Sequence, residues 1–321
     1  MQKVSISVPL RLHFNLIAMH QCSFRCNGGF GMAVDTGFKL IGKKSSIIEF
    51  KPASQELRPT LDRIVIKLEQ IRKDLKLPHG LEACLYNAPL PHIGLGSGTA
   101  ITLAAIEALL IINRYDYTSQ FLQVLSGRGG TSGVGLHSYF TGGFVFDTGI
   151  QSENKPHLPS ALVEPNKIPT LLFQKSYPFG DIVFLYPKGM FNNFGQQEAD
   201  FFNAITPIAK IDSFEACYNA IFMVSASLAD KNYETFIEAI DLIRNTAWKL
   251  AEVQYSGSNV KNIFSMLENE HVKGIGMSSM GPGVFIFSRK NKKVIRDVKE
   301  KYDLNEILLK PNNTGRKLEY V

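Results

Sequence analysis

Residues 91–100 read Pro91-His92-Ile93-Gly94-Leu95-Gly96-Ser97-Gly98-Thr99-Ala100 and run straight into an Ala- and Leu-rich stretch that continues to Ile112. From Thr99 to Ile112 the apolar run is too long for a strand, and its composition suits a buried helix. Three glycines ahead of that helix let the backbone approach a ligand closely. The helix start adds unpaired N–H groups and the positive end of a dipole. Gly94, Gly96, Ser97, Gly98 and Thr99 are therefore candidates to hold a phosphate or pyrophosphate. A glycine-rich helix cap with no ligand is the plain alternative. A P-loop does not fit, because no Gly-Lys-Ser/Thr ending follows, and a dinucleotide fingerprint would also require an acidic residue at the end of a second strand.

On the N-terminal side, twofold alternation dominates. Val4 to Val8, Phe30 to Leu40 and Lys43 to Phe50 read as strands, punctuated by Gly37 and Gly42. Thr60 to Leu75 switches to helical spacing and predicts a surface helix, and Leu81 to Asn87 predicts a short strand. On the C-terminal side, Phe144 to Asp147 is a strand. Pro156, Pro159, Pro165, Pro169 and Pro178 then break regular structure, so residues 151–178 read as a connection. The domain boundary is expected near Pro178, which divides the chain into 1–178 and 179–321. In the second part, Asp181 to Tyr186 is a strand. Helices follow around Gln196 to Ile205, Ser213 to Trp248 with an interruption, and Asn259 to Glu270. Strands at Lys273 to Met277, Gly283 to Ser288 and Leu304 to Lys310 enclose a basic helix at Lys292 to Tyr302. This order predicts an α+β fold with helices covering one face of each sheet.

Two further glycine clusters carry chemistry. Gly127-Arg128-Gly129-Gly130-Thr131-Ser132-Gly133-Val134-Gly135-Leu136-His137 embeds one cation and two hydroxyls among glycines, a composition suited to an anion nest. Arg128, Gly129, Gly130, Thr131 and Ser132 join the phosphate candidates, with a flexible surface loop as the alternative. Gly274 to Gly283 contains Ser278, Ser279 and Gly281 between two strands and would by itself be a hairpin turn. In the N-terminal run Pro9-Leu10-Arg11-Leu12-His13-Phe14, strand alternation puts Arg11 and His13 on one side. Arg25 opens a glycine-rich stretch that ends at Gly31. Glu198 and Asp200 fall at a helix start, where carboxylates complement the dipole, and are candidate ligands for a divalent metal.

Composition narrows the class. The chain has 321 residues, 45% of them apolar and 20% charged, enough to bury a substantial core and inconsistent with disorder. No stretch reaches the roughly 18 uncharged apolar residues of a membrane span. The chain starts directly on strand alternation without the basic and apolar segments of a secretory signal, so a cytoplasmic location is expected. The net charge of +6 is spread along the sequence. That suits an anionic small molecule, and no element is basic enough to predict nucleic-acid binding. Cys22 and Cys26 lack a second close pair or a His cluster. With Cys84 and Cys217 they are expected as reduced, packed thiols, not zinc ligands.

Taken in order, the clusters resemble the GHMP kinase superfamily, with its N-terminal strand motif, proline-led glycine-serine phosphate loop and late glycine motif. Gly98 stands where the superfamily usually has a second Ser. Within that superfamily, Arg11-Leu12-His13-Phe14, the Gly127 to His137 run and Ser278-Ser279-Met280-Gly281-Pro282 resemble the β-ribofuranosylaminobenzene 5′-phosphate synthases. Met280 stands where that pattern often has Trp.

The resemblance implies two α+β domains. The first would be like domain 2 of ribosomal protein S5 and the second ferredoxin-like, with the site in the cleft between them. It implies a homodimer, a magnesium ion, and two substrates, phosphoribosyl pyrophosphate and an aromatic carboxylate of the 4-hydroxybenzoate or 4-aminobenzoate type. Pyrophosphate and carbon dioxide would leave and a C-riboside 5′-phosphate would form. In this reading Arg11 orients the carboxylate, and His13 or His137 is the base. Arg25, Ser278, Ser279 and Gly281 line the acceptor or ribose. The rival is an ATP-dependent small-molecule kinase of the same superfamily. Against it, Ser132 to His137 contains no aspartate to serve as base. Against the transferase, the chain has no adjacent aspartates such as ordinary phosphoribosyltransferases carry. A binding protein that kept the loops and lost turnover is the third reading.

Overall fold

The structure, a computed structural model, describes residues 3–22, 24–51, 55–87, 90–152, 156–159, 167–189, 196–287 and 291–320. Pro165 and Ser288, used above to delimit the connection and a strand, lie outside them.

The N-terminal alternation is longer than expected. It forms β1 (Lys3–Ala18) and β2 (Arg25–Ser45), an antiparallel pair whose register shifts between Val8 and Leu10 and between His13 and Asn15. Glycine at position 37 lets the strands close up, since a Cβ there would lie 1.7 Å from the Val8 carbonyl oxygen. The sheet continues through β3 (Glu49–Phe50) and β4 (Gly80–Tyr86). Between these two strands, α1 (Arg58–Asp74) buries Leu61, Ile64, Leu68 and Ile71 at helical spacing. The Ala/Leu run forms α2 (Ser97–Ile112), buried almost all round and therefore central, not amphipathic.

The second glycine cluster is only partly a loop. Helix α3 (Ser119–Ser126), capped by the Thr118 hydroxyl accepting from Phe121 N–H, leads into it, and α4 (Gly133–Thr141) takes its second half. Strands β5 (Phe144–Asp147), β6 (Ile150–Gln151) and β7 (Leu171–Lys175) follow. The proline-rich connection is thus not wholly irregular: β7 pairs with β5 and extends the first sheet.

Beyond Pro178 come β8 (Ile182–Pro187), α5 (Gln196–Ile205) and α6 (Lys210–Tyr218). A π-helical segment, 219–225, precedes α7 (Ala226–Ala229). Then follow α8 (Tyr233–Arg244), α9 (Ala247–Ser256), α10 (Ser258–Asn269), β9 (Ile275–Met277), β10 (Val284–Ile286), α11 (Lys292–Lys301), β11 (Leu304–Leu309) and β12 (Lys317–Tyr320). The smaller sheet has the order β11-β8-β10-β9, all antiparallel. The larger has the path β12-β1-β2-β4-β3, with β5 and β6 pairing β2 and β7 pairing β5.

The chain therefore returns to its first sheet at the end, a departure from a simple division at residue 178. Pairing of Val4 with Tyr320 and Ser7 with Lys317 closes β12 on β1. Inside the core, the Glu107 carboxylate of α2 accepts from Tyr117 Oη, Tyr139 Oη and both Nε and Nη2 of Arg316. A fully buried charge is tolerated there because four donors surround it. Phe14 stands between the two sheets, with its ring against Phe30 and Phe144 on one side and Phe285 and Phe287 on the other. Among the described residues no helix is long and apolar enough to cross a membrane.

Candidate active site

Arg11 and His13 sit in the middle of β1, opposite Ala33 and Gly31 of β2. From here Arg11 reaches the first glycine loop twice. Its backbone N–H donates to Leu95 O at 3.1 Å, and its Nη1 donates to Gly94 O at 2.6 Å. Gly96 is held at φ 71°, and a Cβ at this position would lie 2.7 Å from Arg11 Nε, so only glycine fits between the guanidinium and the helix start. The N-cap residue Gly96 has no side chain to cap α2, and among the described residues no side chain accepts from its first-turn N–H groups. A phosphate would supply an acceptor. Gly98 differs from its neighbours, because a Cβ on it would meet nothing within 4 Å. Space is open beside the loop at that point.

The third cluster closes on the first. Ser278 Oγ donates to Gly94 O at 2.7 Å and accepts from His13 N–H at 3.0 Å, while Ser279 N–H donates to His13 O at 2.9 Å. Gly281 N–H donates to Ser278 O and completes the turn. Arg128 comes from the second cluster and donates through Nε to Thr99 Oγ1 at 3.2 Å. Ser132 N–H bonds Gly129 O and shapes the loop that contains Gly130 and Thr131.

Three cations and two carboxylates converge here. Burial lowers the Arg11 guanidinium to about 10, with the Arg128 charge adding to this and Glu198 and Glu252 opposing it. Glu198, on α5, is pushed up to about 7 by burial, against the pull of Arg128 and Arg11. On α9, Lys249 forms an ion pair with Glu252, and both side chains are almost completely buried. Burial holds His13 well below the usual imidazole range, and the Arg11 and Lys249 charges reinforce the effect. His13 is therefore neutral at physiological pH. Its Nδ1 is buried without a hydrogen-bond partner.

Some expected residues stand elsewhere. His137 is committed on both ring nitrogens, with Nε2 2.8 Å from Pro169 O and Nδ1 3.4 Å from Gln123 Nε2, so neither is open to a substrate. Arg25 donates to Thr148 O, Gly149 O and Thr170 Oγ1 and clamps the turn after β5. Asp200 is exposed, since two positions along a helix turn a side chain away from the face that carries Glu198. Sequence reasoning missed the Lys249 and Glu252 pair. Their i,i+3 spacing gives no local sign of burial, because in a helix such pairs ordinarily lie on the solvated face. It also missed Asp147, whose carboxylate lies behind the second cluster. A Cβ on Gly133 would be 2.3 Å from Asp147 Oδ2. Met280, in place of an aromatic, packs with Phe201, Phe202 and Trp248, so α5 and α9 supply rings beside the third cluster. Among the described residues, no group of three or more His, Cys, Asp or Glu is arranged to hold a metal.

This two-sheet α+β architecture is a fold shared with small-molecule kinases and a diphosphate decarboxylase of known structure. A homoserine kinase from Cytophaga hutchinsonii superimposes with a TM-score of 0.65 at 14% identity, covering 99% of this chain and 98% of the kinase. A mevalonate 5-diphosphate decarboxylase gives 0.60 at 10% identity, covering 100% and 98%. By sequence the chain resembles the β-ribofuranosylphenol 5′-phosphate synthases. It is 26% identical to that of Methanocaldococcus jannaschii over 98% of this chain and 99% of the relative, and 28% identical to that of Archaeoglobus fulgidus with the same coverage. No protein-family model matches the chain.

Proposed function

We propose that the protein is a decarboxylating C-ribosyltransferase, joining phosphoribosyl pyrophosphate to an aromatic carboxylic acid of the 4-hydroxybenzoate or 4-aminobenzoate type. The observation that carries the reading is the meeting of Arg11, His13, Arg128 and Ser278 at the uncapped start of α2. Near full-length likeness to synthases whose name specifies a ribofuranosylphenol phosphate product supports it. The anomeric C–O bond breaks and pyrophosphate leaves with the electron pair. The ring carbon that bears the carboxylate attacks the anomeric carbon. The C–CO₂ bond then breaks, its electrons restore the ring, and no net proton is exchanged.

Each demand of that sequence has a group to meet it. Negative charge grows on the leaving diphosphate, and the amides of Ser97 to Thr99 with Arg128 are placed to receive it. Glu198 would hold a magnesium ion, which would neutralise charge on the leaving diphosphate. Arg11 orients the acceptor carboxylate. Neutral His13, with an unpartnered nitrogen, can accept a hydrogen bond from the ring hydroxyl or amine and raise electron density at the attacking carbon. The rings of Trp248, Phe201 and Phe202 back this side of the site. Kinase activity is the second reading, because the kinases share the fold. The empty space at Gly98 and the lack of an acidic residue from Ser132 to His137 weigh against it.

The test is incubation with magnesium, phosphoribosyl pyrophosphate and either benzoate, following pyrophosphate and carbon dioxide. Equal release of both, dependent on the aromatic acid and abolished by EDTA, is expected. Formation of ADP from ATP with a small alcohol, and no release of carbon dioxide, would replace this reading with the kinase.

A further inference from the structure

We propose that Lys249 is a positioning residue which, from outside the glycine loops, sets the distance between the third loop and the phosphate-binding loop; its catalytic consequence rests on the synthase reading. Lys249 Nζ donates to Met277 O at 3.3 Å and Ser279 O at 3.4 Å, the two carbonyls that flank Ser278. Ser278 in turn bridges His13 N–H and Gly94 O, the carbonyl that also accepts from Arg11 Nη1. The path from α9 to the start of α2 is therefore continuous: ammonium, loop carbonyls, Ser278 hydroxyl, Gly94. Glu252 fixes the ammonium at the far end through the ion pair.

A buried Lys–Glu pair of this kind is weak evidence for stability, because replacing both members with apolar residues of similar volume is often neutral or stabilising. With side chains 1% and 2% exposed, this pair has no solvent-facing role either. It does hold two carbonyls either side of the Ser278 hydroxyl, which ties the two loops together. A single ammonium with three donors can satisfy both carbonyls and the carboxylate together, and an apolar residue satisfies none of them.

The decisive comparison is Lys249→Met with Glu252→Leu in the full-length protein, which removes the pair without stranding a charge. Hydrogen exchange of the Gly94–Thr99 amides, read at unchanged melting temperature, is expected to quicken by about tenfold, with KM for the donor rising by a similar factor. Adding Ser278→Ala to this variant is expected to change little further, since both act along one path. Glu252→Gln alone keeps the Lys249 donors and an amide oxygen to hold the ammonium, and is expected to exchange like the wild type at Gly94–Thr99. The proposal is overturned if the apolar pair leaves exchange and donor KM unchanged, or if its effects add fully to those of Ser278→Ala. It is equally overturned if Glu252→Gln loosens the loop as much as the pair does; should the apolar pair fail to fold, Lys249→Met with Glu252→Gln takes its place in the same comparison. Should the wild type join ribose to neither benzoate, the synthase reading falls, while the exchange comparison still decides the role of Lys249.

Discussion

Ser278 and Gly94, 184 positions apart in the chain, are joined by a 2.7 Å hydrogen bond from hydroxyl to carbonyl, and on this bond the third glycine cluster meets the first. The same hydroxyl accepts from His13 N–H. Ser278→Ala would strand that N–H in a buried setting but leave Gly94 O with Arg11, so a loss of roughly 2 kcal/mol in unfolding free energy is expected. Urea denaturation would measure it. Donor KM is expected to rise more than kcat falls, because the reacting groups remain and only the loop is displaced. A kcat loss at unchanged KM would mean that the hydroxyl acts on the reaction itself.

Arg11 is fixed from both sides, by Gly94 O on its Nη1 and by the bare α-carbon of Gly96 against its Nε. Although burial lowers its guanidinium to about 10, it remains cationic at neutral pH. Lysine would keep the charge but lose the planar fork, so Arg11→Lys is not conservative here. A fall in kcat/KM on the order of a hundredfold is expected, the scale seen when one oriented donor is removed from a preorganised site. Circular dichroism and melting temperature should stay near those of the wild type. Full activity in Arg11→Lys would reduce Arg11 to a source of charge.

Asp147 gives a pH signature. Burial pushes its carboxyl up to about 7 from an ordinary value of 3.8, against the opposing effects of Gly149 N–H and Arg25. Between those values the folded protein keeps a proton that the unfolded chain has already released, so stability falls as pH rises from about 4 to about 7. Above that window the deficit is constant. Asp147→Asn keeps an acceptor for Gly149 and stays neutral throughout, so its stability relative to the wild type should rise across the window and then level off. Urea midpoints at pH 4.5, 6 and 8 would show this. Parallel curves for the two proteins would mean that Asp147 titrates as an ordinary carboxylate.

The elements legible in advance were those whose pattern is local. Helix α2 and its glycine lead could be placed because an Ala- and Leu-rich run has no other stable form of that length. The alternating segments of β1 and β2 are legible but read as shorter than they are, since the glycines that look like punctuation lie inside β2: Gly37 where the Val8 backbone approaches closely, and Gly42 where the Leu81 side chain and Ala108 pack over it. What could not be read was long-range. Nothing local in Lys317–Tyr320 says that it pairs with β1, and nothing in Lys249 or Glu252 says that their helix faces inward. His137 shows the converse case. It sits in the most distinctive motif, yet its two nitrogens are consumed by Pro169 and Gln123, partners that only the fold brings near.

The return of the C-terminus has an energetic consequence at Arg316, which supplies the only cation bonded to the buried Glu107 among the described residues. Arg316→Ala leaves that carboxylate with two tyrosine hydroxyls and no counter-charge, and a loss of about 3 kcal/mol is expected. Glu107→Gln in the same chain should recover part of it, because the uncompensated charge is then gone. Thermal denaturation of the two variants would measure both effects. An additive loss in the double variant would rule out charge pairing as the cause.

Gly98 separates the two enzyme readings most directly. The superfamily pattern has Ser at this place, and here a Cβ would meet nothing within 4 Å, so Gly98→Ser introduces no clash. Inside the first turn of α2, exchanging glycine for a residue with less freedom in the unfolded chain should hold or raise stability by about 0.5 kcal/mol. If the open space receives the diphosphate of the ribose donor, the added hydroxymethyl group intrudes on it, and donor KM should rise by about tenfold while acceptor KM stays put. If the loop instead holds the phosphates of ATP as in a kinase, the variant should bind ATP as tightly as the parent or more tightly, because the hydroxyl restores a donor to the phosphate oxygens. Calorimetric titration of the wild type and Gly98→Ser with phosphoribosyl pyrophosphate and with ATP therefore separates the two readings. Weakened donor binding, with ATP bound by neither protein, is the outcome expected of a C-ribosyltransferase.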